Sequence, residues 1–116
     1  MPTTKLITMG KFVVTARNNG EFQFSLKADN GQVILTSEGY ASKTACLSGV
    51  ESVRKNAAIA TRFVVKMTKD GKPFFNLRSG NGQVIAVSQV YSCQATMKAG
   101  IASVQKNAPG ASVVEA

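Results

Sequence analysis

The chain has no histidine and no tryptophan, and only two cysteines, three prolines and six carboxylates among its 116 residues. Without histidine there is no imidazole to serve as a general base near neutral pH, to activate a serine or cysteine, or to ligate zinc. Two cysteines, Cys46 and Cys93, cannot supply a four-thiolate metal site. Most catalytic and metal-binding constellations are therefore out of reach, and no catalytic residue, cofactor or metal is expected. No apolar run approaches the roughly 18–20 residues that a membrane-spanning helix needs. The first ten residues, Met1 to Gly10, lack the apolar stretch and small-residue cleavage site of a secretory leader. With two cysteines at unlike positions, the expected setting is a reducing cytoplasm, with no membrane partner.

What is present is ample apolar material and an excess of positive charge. The chain is 44% hydrophobic and 17% charged, enough for a packed core and too apolar for a disordered chain. At 116 residues, the expectation is one domain spanning 1–116. Fourteen lysines and arginines against six acids leave a net charge of +8. That balance favours anionic partners, either nucleic acid or an acidic protein, and also serves plain solubility.

The chain repeats itself. Shifted by 51 residues, Lys11 to Ala57 aligns without a gap on Arg62 to Ala108, with 19 of 47 positions identical. The identities include Phe12/Phe63, Gly20/Gly71, Phe24/Phe75, Asn30-Gly31/Asn81-Gly82, Ser37/Ser88, Tyr40/Tyr91, Gly49/Gly100 and Asn56/Asn107. The first repeat is placed at 11–60 and the second at 61–115.

Each copy opens with alternating residues. Phe12, Val14 and Ala16 face one side and Lys11, Val13, Thr15 and Arg17 the other, the pattern of a half-buried strand. Asn19-Gly20 then supplies a hairpin turn in which both residues tolerate positive φ. A second strand places Phe22, Phe24 and Leu26 inward, Asn30-Gly31 turns again, and Gln32 to Ser37 forms a third. Asp70-Gly71 and Asn81-Gly82 repeat these turns.

The period then lengthens. Cys46, Gly49, Val50, Val53 and Ala57 lie on one face of a helix predicted over Ser42 to Asn56. Ser42 reads as its N-cap, Arg54 and Lys55 oppose its dipole, and Asn56 is expected to close it in a left-handed conformation. The matching helix, Cys93 to Asn107, presents Met97, Gly100, Ile101, Val104 and Ala108 and stops at Pro109-Gly110. Ser112 to Glu115 reads as a last strand; its counterpart, Thr61 to Val64, opens the second copy and is expected to close the first as well.

About 50 residues alone would hide too little surface, so the two copies should share one core. The expected fold is α+β: two pseudo-symmetric β-β-β-α(-β) repeats in a single antiparallel sheet, with both helices packed on one face.

The set Gly20-Glu-Phe-Gln-Phe-Ser-Leu-Lys27, Asn30-Gly-Gln-Val-Ile34, Ser37-Glu-Gly-Tyr40 and Gly49-Val-Glu-Ser-Val-Arg-Lys-Asn-Ala57 resembles the YegP-like family of small bacterial tandem-repeat proteins of unknown function. The resemblance runs over residues 11 to 115. It implies C-terminal strands exchanged between repeats and a monomer that is its own internal pseudo-dimer. It brings no substrate, cofactor or catalytic residue. The second copy departs from the first with Gln89-Val90 for Glu38-Gly39 and Cys93 for Ser42.

Function therefore has to be sought in local features. Over the aligned stretches, 11–57 carries six cations against four acids, and 62–108 carries seven cations against Asp70 alone. Alternation puts Arg62 and Lys66 on the solvent side of one strand, and Lys72, Phe74, Asn76 and Arg78 on that of the next. Cations beside an aromatic ring on a sheet are what single-stranded nucleic-acid binders use, so Arg62, Lys66, Lys72, Phe74 and Arg78 form the candidate nucleic-acid site. The ordinary alternative is a solvated face with Phe74 packed at an edge or interface. Cys93, at a helix N-terminus, is a candidate for thiol chemistry, but no histidine is available to activate it. Cys46 reads as core. Gly49 and Gly100 imply a close approach to their helices, and Tyr40 and Tyr91 are expected at the strand-to-helix corners with hydroxyls bonded to backbone. The expected function is a non-enzymatic binding or accessory module acting through its sheet face or edges.

Overall fold

The computed structural model describes residues 10–115, so the reading of the N-terminal stretch concerns residues outside the described part, apart from Gly10. The strands are β1 (Lys11–Ala16), β2 (Phe22–Lys27), β3 (Val33–Ser37), β4 (Phe63–Met67), β5 (Pro73–Arg78), β6 (Val84–Val87) and β7 (Ser112–Glu115). The helices are α1 (Lys43–Ala57) and α2 (Gln94–Asn107). All seven strands join one sheet in the order β4-β5-β6-β3-β2-β1-β7. The pseudo-symmetry passes between β6 and β3, which pair Thr36 with Val87 and Ser37 with Ala86.

The hairpins fall at the predicted places, but their geometry differs. Gly20, Gly31, Gly71 and Gly82 have positive φ, while no other described residue does. At the first turn the Gly20 amide donates to Arg17 and the Arg17 amide to Glu21, a turn followed by one left-handed glycine rather than two left-handed residues. Asparagine serves otherwise: the Asn19 Oδ1 accepts from the Glu21 amide, and Asn30 and Asn81 do the same for Gln32 and Gln83.

One side of the sheet is apolar because period-two alternation delivers Phe12, Val14, Phe24, Leu26, Leu35, Phe75, Leu77 and Ala86 to it, all buried. A register slip between Leu26 and Lys27 also buries Ile34 beside Leu35, and the second unit repeats the slip between Leu77 and Arg78. Cys46, Val50 and Val53 of α1 and Met97 and Val104 of α2 cover this side. Each helix touches strands of both units, which is why neither unit has a core of its own.

Ser42 caps α1, its Oγ accepting from the Ala45 amide at 3.1 Å. Asn56 does not end the helix in a left-handed conformation as expected. It stays helical, and its side chain donates back to the Ser52 carbonyl, a bond that a buried amide makes more readily than a turn. Asn107 does likewise with Ser103 and also accepts from the Gly10 amide.

The sheet is mixed rather than antiparallel. β7 runs parallel to β1, with Val13 beside Val114, because it is reached through the long α2 crossover instead of a hairpin. The second unit's last strand thus crosses to the first. The exchange is not returned: Ala60–Arg62 is a 3-10 turn, and β4 pairs with β5 of its own unit. Arg54 fastens the crossing segment by donating to the Ala111 carbonyl while its guanidinium lies 5.4 Å over the Phe12 ring.

Candidate functional site

The face opposite the helices is open. A single row of outward residues crosses it from edge to edge: Val114, Val13, Ser25, Thr36, Val87, Asn76 and Val64, each paired with the next through the sheet register. Beside this row stand the cations. Lys11 pairs with Lys27 in the first unit, and Lys66 with Phe74 in the second. Arg78 lies next to Asn76 on the same strand face, and Lys72 precedes Phe74 by two residues. None of Lys11, Lys27, Arg62, Lys66 or Arg78 has a carboxylate within ion-pair distance among the described residues. Lys72 approaches Asp70 at 3.8 Å, with both side chains exposed.

All five residues of the predicted site therefore come from neighbouring strands of the second unit and the segments flanking them. Lys66 and Lys72 are exposed; Phe74, Arg62 and Arg78 are half-buried. The Nε atoms of Arg62 and Arg78 are buried without a hydrogen-bond partner among the described residues, and the Arg62 guanidinium packs against the β5–β6 turn near Gly80. Asn76, expected in solvent, is buried at 9% exposure, because it sits mid-strand between Val64 of β4 and Val87 of β6, and its Oδ1 finds no hydrogen-bond partner among the described residues. Lys11 and Lys27 were missed as members of the face. Their alternation already placed them outward, but whether the two units present one surface depends on the β3–β6 seam.

The helix side carries two related clefts of about 350 Å³ each. Each lies between the helix of one unit and the second hairpin of the other. Tyr40, Gly49, Ser52 and Gln83 line one, and Tyr91, Gly100, Ser103 and Gln32 line the other. Glu38 is the one carboxylate among the lining residues, and Gln89 takes its place in the second cleft. Tyr40 stacks on Phe24 and Tyr91 on Phe75. Burial raises the Tyr40 pKa above that of a free phenol, with Cys46 and Glu38 adding to the effect. Tyr91 departs from the expectation of a hydroxyl bonded to backbone: its oxygen is buried with no hydrogen-bond partner among the described residues, because the ring is held flat against Phe75 and α2.

Cys93 is an exposed free thiol and stands at the N-cap of α2. The Thr96 backbone N–H lowers its pKa, and the Thr96 hydroxyl, 3.6 Å from the sulfur, lowers it further. Cys46 is a free, buried thiol whose pKa burial raises. No group of three or more His, Cys, Asp or Glu residues is placed to hold a metal ion among the described residues. No helix among them is long and apolar enough to cross a membrane.

The two-unit architecture has a match among known families. The model of a family described as a domain of unknown function, DUF1508, matches residues 18–63 and again 68–115, one match for each repeat. The chain belongs to this family. A UPF0339 protein encoded in the ptx operon 5′ region of Stutzerimonas stutzeri is 50% identical over 106 residues, covering 91% of this chain and 96% of that protein. The UPF0339 protein YegP of Escherichia coli K12 is 43% identical over 98 residues, 84% of this chain and 89% of its own length. The solution structure of E. coli YegP, described as a protein of unknown function, superimposes with a TM-score of 0.89 at 40% identity over 96% of both chains. The UPF0339 protein SO3888 of Shewanella oneidensis gives 0.88 at 40% identity, covering 93% of this chain and 92% of its own. The YegP-like resemblance and the shared fold thus stand, and the names of these relatives assign them no function.

Proposed function

We propose that the chain is a non-enzymatic binding module whose open sheet face takes an anionic macromolecule, and that single-stranded nucleic acid is the ligand this surface fits best. The observation that carries the reading is the concentration of Lys11, Lys27, Arg62, Lys66, Lys72 and Arg78 about one uncovered face, five of them with no carboxylate within ion-pair distance among the described residues. Such cations are free to replace the counterions of a phosphate backbone, which makes binding favourable and salt-dependent. Phe74, between Lys72 and the Lys66 pair, offers a ring on which an unpaired base can stack. An acidic protein would satisfy the charge but would make no particular use of the ring.

The test is an amide NMR titration with a mixed-sequence single-stranded oligonucleotide pool at low and at physiological salt. Shifts clustered on Arg62, Lys66, Lys72, Phe74 and Arg78, extending to Lys11 and Lys27 and persisting at physiological salt, are expected. Silence at both salts would sink the proposal and turn the search to protein partners.

A further inference from the structure

The two edges of the sheet are not equivalent. Beside β1 lies β7, whose Glu115 forms an ion pair with Lys43 of α1. The corresponding place beside β4 holds no strand among the described residues. The consequence shows in matched side chains: Val14 on β1 is 3% exposed, whereas its counterpart Val65 on β4 is 45% exposed and Met67 is 54% exposed. Both point to the helix side, where Phe63, Val65 and Met67 are opposite Leu77, Phe75 and Pro73.

Hydrogen-bond parity fixes what this edge can accept. The Thr68 amide donates to the Lys72 carbonyl, so Thr68 turns its backbone groups toward β5. By the alternation of an antiparallel ladder, Lys66 and Val64 do the same, and Phe63, Val65 and Met67 direct theirs away from the sheet. The Phe63 amide is already used by the Ala60 carbonyl. Among the described residues, nothing pairs with the Val65 and Met67 amides or the Phe63, Val65 and Met67 carbonyls on the outward side.

We infer that the β4 edge pairs antiparallel with β4 of a second copy of this chain, in the register that sets Val65 against Val65. That register is self-complementary. The two Val65 residues exchange two hydrogen bonds, and each Met67 amide donates to the Phe63 carbonyl across the axis. On the helix side Phe63 faces Met67 and Val65 faces Val65, covering the two exposed apolar side chains. On the outer side Lys66 faces Val64 rather than another cation. Moving the axis by one residue sets either Lys66 against Lys66 or Arg62 against Lys66, and like charges directly opposite are destabilising. Exchanging β7 between copies instead would gain a pair at β4 only by losing one at β1. The chain's own monomer is then the dilute form, and the dimer a continuous fourteen-stranded sheet, each copy contributing its seven strands with the basic faces on the same side.

This inference is independent of the nucleic-acid proposal and has the opposite salt dependence. Two copies of net charge +8 repel, so added salt strengthens the pairing, whereas it weakens phosphate binding. The experiment is sedimentation equilibrium of the full chain from micromolar to millimolar concentration at low and high salt. The mass is expected to rise from 12.2 kDa toward twice that value, at lower concentration in high salt. Val65→Lys should raise the concentration of half-association at least about tenfold, while Val113→Lys on the opposite edge leaves it unchanged, with circular dichroism verifying the fold of each variant. The register is read separately by Val65→Cys in a Cys93→Ser background. Directly opposite, hydrogen-bonded residues have α-carbons about 5.5 Å apart, within disulfide reach, so mild oxidation should give a covalent dimer. A monomer throughout at high salt, a dimer indifferent to Val65→Lys, or no crosslink at Val65 would each overturn the inference.

Discussion

Tyr40 lays its hydroxyl against the α-carbon of Gly49, in the space a β-carbon would occupy, and Tyr91 stands in the same relation to Gly100. A glycine in mid-helix costs about 1 kcal/mol relative to alanine, and this contact is what the two helices gain from it. The tyrosine ring fills the corner between strand and helix and stacks on the core phenylalanine of its unit.

Alanine at Gly49 should therefore destabilise the fold although it favours the helix. Its β-carbon would meet the Tyr40 hydroxyl, the ring Cζ at 2.7 Å and Phe24 at 3.0 Å. Overpacking of this kind costs about 1–3 kcal/mol, so the urea midpoint of Gly49→Ala should fall, and that of Gly100→Ala with it. Adding Tyr40→Phe to Gly49→Ala should recover part of the loss by removing the oxygen. A midpoint at or above that of the parent would mean that the ring moves aside freely.

Ser37 and Ser88 are a second matched pair. Each buried hydroxyl accepts from a strand amide, Phe24 or Phe75 at 2.9 Å, and donates to the carbonyl of the next residue. Replacing either by alanine leaves a buried N–H without a partner, a loss of about 1–3 kcal/mol. Urea denaturation should show this for Ser37→Ala and Ser88→Ala. Ser48→Ala, on the exposed side of α1, should stay within about 0.5 kcal/mol of the parent.

The two thiols should separate by pH. The lowered pKa of Cys93 predicts an alkylation rate that reaches half its plateau below the pH of a free cysteine, since the thiolate is the reacting species. Thr96→Val should move that midpoint upward by removing the hydroxyl. Cys46, buried and raised, should react only as the protein unfolds. Mass spectrometry of iodoacetamide-treated protein across pH reads both sites at once, and equal rates at the two cysteines would contradict the assignment.

On the open face, cations and ring should have separable effects on oligonucleotide binding. Arg62→Ala and Lys66→Ala should each reduce the slope of log K against log salt by about 0.7, one phosphate contact on a single strand. Phe74→Ala should leave the slope unchanged and cost about 1–3 kcal/mol if a base stacks there. A salt slope unaltered by all three substitutions would place the contact elsewhere.

Much of the architecture is legible in the chain because it rests on short-range rules. Alternation from Lys11 to Ala16, the asparagine-glycine and aspartate-glycine turns and the Ser42 cap each depend on a few neighbouring residues, and each recurs 51 residues later in sequence or in close substitution. The cationic face was legible for the same reason, strand by strand. Asn56 misled because its side chain satisfies a helix carbonyl as well as a turn, and local sequence does not distinguish the two.

The sequence by itself determined the two repeats, their strands and helices, the buried side of each and the surplus of positive charge, all consequences of periodicity and composition. Tertiary structure decided how the units combine: the antiparallel β3–β6 seam that makes one face of two, the parallel docking of β7 on β1, and an exchange that runs in one direction only. It also decided that Val14 is covered while the matching Val65 is not. The physical reason is that matching repeats carry matching local preferences, so the difference between the two edges arises from chain connectivity: the second unit is followed by β7, the first by the strand that opens its twin.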